Sequence, residues 1–96
     1  MARFCYNGLM KNHLYFFYGT ECPHCQKMSA LLGKLEFDGI KVEHVEIWHN
    51  EANMKKMEEM DTGPCGGVPF FINTKTGKTI CGEATLKELK SWAEGE

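Results

Sequence analysis

No apolar run in the 96-residue chain approaches the ~18–20 residues that a membrane-spanning helix needs. Its opening, MARFCYNGLMKN, lacks the continuous apolar stretch of a secretory signal, and its single arginine makes a weak transit peptide. The expectation is a soluble protein of the cytoplasm, or of an organelle stroma or matrix should this be the mature end of a longer precursor. Lysine and arginine are scattered, with no dense basic run to track a phosphate backbone, and the formal net charge is -2. Neither a nucleic-acid nor a membrane partner is expected. No repeat, low-complexity tract or linker divides the chain, and no Ser/His/Asp arrangement or phosphate-binding loop is visible. A single, monomeric domain over residues 1–96 is therefore expected, with 1–12 as a short lead-in.

Proline is scarce, at three residues, and cysteine is odd in number, at five: Cys5, Cys22, Cys25, Cys65 and Cys81. A small secreted disulfide scaffold would usually show an even count and a poorer apolar core. Here 43% of residues are hydrophobic, including six Phe, three Tyr and two Trp, enough for a real core. A reducing compartment, one functional cysteine pair and three spare thiols fit better.

Hydrophobic periodicity then orders the elements. HLYFFYG (13–19) suits a strand buried on both faces. PHCQKMSALLGKLEF follows, with Met28, Leu31, Leu32 and Leu35 on one helical face and Pro23 at the first helical position, where its missing N–H costs nothing. IKVEHVEIW (40–48) reads as a strand with a phase slip near His44 that suits a bulge or burial on both faces. NEANMKKMEEMD (50–61) reads as a helix capped by Asn50. VPFFINT (68–74) and KTICG (78–82) form a hairpin through Gly77, and a last helix starts at a Thr85/Glu88 capping box with Leu86, Leu89 and Trp92 facing inward. A helix between the first two strands implies a right-handed crossover and a parallel pair. The predicted fold class is a three-layer α/β domain, a four-stranded mixed sheet flanked by three helices.

The chemistry centres on TECPHCQKM. Cys22 lies just past the first strand, at the cap of the first helix, whose unpaired N–H groups and partial positive charge favour a thiolate. Cys25, one turn in, is shielded by the helix and placed to attack a mixed disulfide at Cys22. Cys22 is thus the expected nucleophile, the more exposed of the two, and Cys25 the resolving thiol. Pro23 begins a helix instead of the tight turn of a zinc knuckle. No second Cys-x-x-Cys completes a four-ligand zinc site, so no metal is expected. His24, between the cysteines, would add positive charge that favours the Cys22 thiolate further; the plainer reading is a solvent-exposed loop histidine.

Val68-Pro69 is the second clue, because proline cannot donate to a sheet ladder and belongs there at an edge, a bulge or a cis bond. With ECPHC and GGVPFFIN in the same chain, the sequence resembles the thioredoxin superfamily from His13 to Trp92. The resemblance implies that Pro69 is cis, that its loop packs against the two cysteines, and that the Val68 backbone pairs with bound substrate. Twelve residues before His13 are too few for the extra strand and helix of thioredoxins proper, and the compact form resembles glutaredoxins. ICGEATLKEL also resembles their segment for the γ-glutamyl end of glutathione, which would place Glu83 and Thr85 at a helix N-terminus suited to a carboxylate. The glutaredoxin pattern has a lysine where this chain has Gly19, and a tyrosine where it has His24. CPHC itself resembles bacterial periplasmic disulfide oxidases, but the 43 residues between Cys25 and Pro69 leave no room for their inserted helical domain.

The function implied is thiol–disulfide exchange with protein or glutathione mixed disulfides, requiring no cofactor, with electrons from glutathione as co-substrate or from a thioredoxin-type reductase. Two other classes stay open: a glutathione-assisted iron–sulfur or soft-metal module, and an interaction domain with an incidental redox pair. Cys65, four residues before Pro69, is a candidate third redox thiol or simply a small loop residue. Cys81 reads as a core or edge residue. Met54, Met57 and Met60 read as core filling, and His13, His44 and His49 as structural or surface residues.

Overall fold

The structure, a computed structural model, describes residues 13–61 and 65–94. The lead-in over 1–12, and with it Cys5, lies outside the described residues. Seven elements follow in the expected order: β1 (Leu14–Tyr18), α1 (Pro23–Phe37), β2 (Glu43–Glu46), α2 (Glu51–Met60), β3 (Phe70–Asn73), β4 (Thr79–Cys81) and α3 (Leu86–Glu94).

The sheet order is β2-β1-β3-β4, with β1 and β2 parallel and the β1–β3 and β3–β4 pairs antiparallel. This is the expected four-stranded mixed sheet with three helices. On one face, Leu14, Phe16 and Phe71 of the sheet meet Met28, Leu32 and Leu35 of α1 and Leu89 and Trp92 of α3. On the other, Phe17, Val45, Phe70 and Ile72, with Ile47 just past β2, meet Met57 of α2. Each large side chain so buried contributes about 1.5–3 kcal/mol relative to exposure. Adjacent residues of β1 and β3 thus serve opposite cores, which explains why both read as unbroken apolar runs.

Local signals set the helix ends. Cys22 caps α1 and Asn50 caps α2, where Asn50 Oδ1 accepts from Asn53 N–H at 3.0 Å. At α3, Thr85 Oγ1 accepts from Glu88 N–H at 3.1 Å while Glu88 Oε1 accepts from Thr85 N–H at 2.8 Å, the reciprocal capping box. Met57 is buried, whereas Met54 is exposed, so the methionine face is only partly core.

Two features depart from the sequence reading. The strand expected over 40–48 pairs only from Glu43 to Glu46, in unbroken register with Tyr15–Tyr18, so no bulge forms at His44. As an edge strand, β2 points His44 outward to Glu36, at 2.9 Å, while Val42, Val45 and Ile47 are buried. Asn73, at the end of β3, is buried and hydrogen-bonded: its Nδ2 donates to Trp92 O at 2.8 Å, and its Oδ1 accepts from Lys75 N–H at 3.0 Å. It shapes the hairpin turn, where Gly77 adopts a φ of 82°.

Candidate functional site

Strand β1 ends at Tyr18, and the chain turns through Gly19–Glu21 into α1, with Gly19 O accepting from Cys22 N–H at 3.1 Å. Cys22 stands outside the helical conformation, at φ -81° and ψ 112°, and its Sγ accepts from Cys25 N–H at 3.1 Å. A sulfur thus fills the capping role usually played by oxygen and takes up one of the free amides of the first turn. Pro23 occupies the first helical position and is exposed. Cys22 and Cys25 are both free thiols.

Burial differs from the expected asymmetry. Cys22 is 4% exposed and Cys25 1%, because capping folds the Cys22 sulfur back over the helix start instead of leaving it in solvent. Burial, reinforced by a hydrogen bond to the Cys22 sulfur, pushes the Cys25 thiol up to about 12. Cys25 is therefore the proton donor of the pair and Cys22 the acceptor. Since the unfolded thiol titrates near 9.0, stability from this group is complete below that pH and is lost as pH rises toward about 12. Urea unfolding across the alkaline range should show wild type losing stability more steeply than Cys25→Ser; parallel curves would contradict this proton placement.

The Val68–Pro69 peptide bond is cis, and Val68 packs against the core cluster that contains Cys22 and Cys25. Its loop is held at both ends. Asp61, the C-cap of α2, accepts from Cys65 N–H at 3.0 Å and Gly66 N–H at 3.1 Å, and Gly82 N–H donates to Pro69 O at 2.9 Å. A disulfide joins Cys65 to Cys81, whose Cα atoms are 5.5 Å apart. The sequence reading left both as spare thiols. The antiparallel β3–β4 pairing, with Cys81 opposite Phe70, is what carries the end of β4 alongside the loop.

Glu83 and Thr85 lie where the chain enters α3, but both are engaged. His24 Nδ1 pairs with Glu83 Oε2, and Lys27 Nζ donates to Glu83 Oε1 at 3.4 Å. The hydrogen bond from His24, opposed by desolvation and helped by Lys27, holds the Glu83 carboxyl below the usual range. The His24 imidazole, 68% exposed, is thus directed toward Glu83. Thr85 spends its hydroxyl and its N–H in the capping box.

Two residues with positional importance were not singled out from the sequence. Glu46 Oε2 accepts from Thr20 N–H and Oγ1, both at 3.0 Å, and from Trp48 N–H at 3.2 Å, while its Oε1 accepts from His49 N–H at 2.8 Å. Partial desolvation pushes this carboxyl up, but the donated hydrogen bonds outweigh it and hold it below its usual range. Glu46 so ties the turn before Cys22 to the segment after β2. Trp48 lies across Gly19: a Cβ built there would sit 2.1 Å from the indole. Glycine is required by that close approach alone. Among the described residues no cluster of three or more His, Cys, Asp or Glu could hold a metal ion, and no helix is long and apolar enough to cross a membrane.

No family model matches the chain, and no curated protein sequence matches it. Among solved structures, a glutaredoxin from Archaeoglobus fulgidus aligns over 88% of this chain and 88% of its own, with a TM-score of 0.61 and 20% sequence identity. At that identity the likeness speaks to architecture, and it agrees with the strand order and the three helices. The domain has the glutaredoxin- and thioredoxin-like α/β fold.

Proposed function

We propose that the chain is a thiol–disulfide oxidoreductase in which Cys22 is the nucleophile and Cys25 the resolving thiol. One observation carries the reading: the free Cys22 sulfur sits on the first turn of α1, accepting from Cys25 N–H, with the proton-holding Cys25 thiol beside it. Helix-end amides and a neighbouring thiol donor both stabilise negative charge on an acceptor sulfur.

In the forward step the Cys22 thiolate attacks one sulfur of a substrate disulfide. The new bond is Cys22–S, the substrate S–S bond breaks, and the departing thiolate takes a proton. Capture of Cys22 in a mixed disulfide takes away the sulfur that accepts from the Cys25 thiol, one of the causes, after burial, that hold its proton. Cys25 then ionises and attacks Cys22 Sγ, releasing the second substrate thiol and closing a Cys22–Cys25 disulfide. The substrate gains two electrons. Two glutathione molecules or a thioredoxin-type reductase return them.

Val68 offers its backbone to the substrate next to Pro69, and protein disulfides are the substrate class. Glutathione is proposed as electron donor, received near Glu83 and Thr85 once Glu83 exchanges His24 and Lys27 for an ammonium group. His24, in this reading, links the start of α1 to Glu83 beside the cysteine pair. A cytoplasmic location belongs to the same reading. The Cys65–Cys81 bridge then has to resist the glutathione pool, which thiol counting in freshly lysed cells would check. The function is tested by turnover of bis(2-hydroxyethyl) disulfide with glutathione as reductant. Absence of turnover with glutathione alone would remove it as the electron donor; absence with dithiothreitol as well, in a folded protein, would overturn the function.

A further inference from the structure

Beside the Val68–Pro69 loop lies a groove of about 190 Å³, walled by Ile47, Trp48, Met54 and Met57 and, across from them, by Gly66 and Gly67. It is smaller than the ~300–1,000 Å³ typical of sites that enclose a whole small ligand, and suits a single side chain. Its walls are unusual for this surface. Trp48 is 48% exposed and Met54 37%, and the only other large hydrophobic exposed among the described residues, Phe37, lies at the end of α1. A Cβ at Gly66 or Gly67 would meet nothing within 4 Å, so the opposite wall is bare backbone, open to an incoming chain. The charged residues on the rim, Glu58 and Asp61, are both acidic.

The groove borders the site at two points. Gly67 leads directly into Val68, whose backbone edge the proposed function gives to substrate. Trp48 rests on Gly19, whose carbonyl accepts from Cys22 N–H. A polypeptide bound with its disulfide at Cys22 and its backbone at Val68 would therefore send a neighbouring side chain toward Trp48.

From this geometry we infer that the Trp48–Met54–Gly67 groove selects protein substrates carrying an apolar side chain, followed by lysine or arginine, next to the reactive disulfide. Trp48 is the specificity-determining residue. Its indole and the Met54 thioether cover the apolar group, and adaptable methionine tolerates several shapes. The acidic rim attracts the basic neighbour and speeds its encounter. This inference rests on the oxidoreductase reading, and the test separates the two.

The probes are two synthetic disulfide-linked peptides, identical except for Leu-Lys or Ser-Glu beside the cysteine, with bis(2-hydroxyethyl) disulfide as a third substrate. Wild type should favour the Leu-Lys peptide by roughly tenfold or more in kcat/KM, the scale on which apolar pockets discriminate. In Trp48→Ala the ratio should fall toward one, mainly through KM, and Trp48→Phe should restore it. Met54→Ala should lower it too, which keeps the test available if Trp48→Ala folds poorly. A wild-type ratio near one, or an unchanged ratio in both alanine variants, would overturn the inference. So would sedimentation showing that the groove is closed by a second copy of the chain and opened by Trp48→Ala. If wild type turns over none of the three substrates, the oxidoreductase reading itself fails.

Discussion

Cys22→Ser is expected to lower turnover of bis(2-hydroxyethyl) disulfide on the order of 10⁴-fold or more, the scale on which removing a nucleophile acts. A serine hydroxyl can still accept from Cys25 N–H, so the cap and the fold should survive. What disappears is the sulfur that attacks the substrate disulfide. Cys25→Ser behaves differently under the same assay. It keeps the attacking sulfur and loses only the internal escape from the mixed disulfide, so glutathione has to resolve the adduct instead. Single-turnover attack should persist, and release of a bulky protein partner should slow. Equal loss in the two variants would contradict the division of labour drawn from the 3.1 Å contact and the raised Cys25 thiol.

Phe71→Ala is expected to destabilise the domain by about 3–5 kcal/mol, the range for deleting a fully buried aromatic. Phe71 lies on β3, between Phe16 of β1 and Ile80 of β4. Its ring stacks on Phe16 at a centroid distance of 5.0 Å and meets Trp92 edge-on at 5.5 Å. One side chain therefore joins the sheet to α3, and no neighbour can collapse into the space without losing ring geometry. Against the total of about 5–15 kcal/mol usual for a domain, that loss is a large share. The midpoint of thermal unfolding should drop on the order of 20 °C. Phe37→Ala makes the control: Phe37 is almost fully exposed at the last position of α1, and its change should stay within about 0.5 kcal/mol. A small effect at Phe71 would contradict the placement of the core.

Much of this architecture is legible in the chain because its signals are local. Pro23 with the Met28–Leu32–Leu35 spacing sets α1, Asn50 starts α2, and the Thr85/Glu88 pair starts α3; each depends on residues within one or two turns. The limits of β2 depend instead on which residues of β1 it meets, so 40–48 shortens to Glu43–Glu46. The site divides the same way. Cys22 as an N-cap follows from the sequence, but its burial follows from where the capped sulfur points. Cys65 and Cys81 are 16 residues apart, and cysteine connectivity is set by the hairpin bringing β4 to the loop, which no spacing rule encodes. Glu46 reaches Thr20 across 26 residues, and Trp48 covers Gly19, contacts that exist only once β1 and β2 lie side by side. Gly19 in the place of a patterned lysine was visible as a departure; the indole that requires it was not.

Whether Cys22 is the sulfur that captures a disulfide is decided by incubating Cys25→Ser with bis(2-hydroxyethyl) disulfide and locating the adduct by peptide mass spectrometry. One mixed disulfide is expected, on Cys22, with Cys65 and Cys81 still joined to each other. An unmodified Cys22, or an adduct carried by Cys65 or Cys81 in its stead, would contradict it.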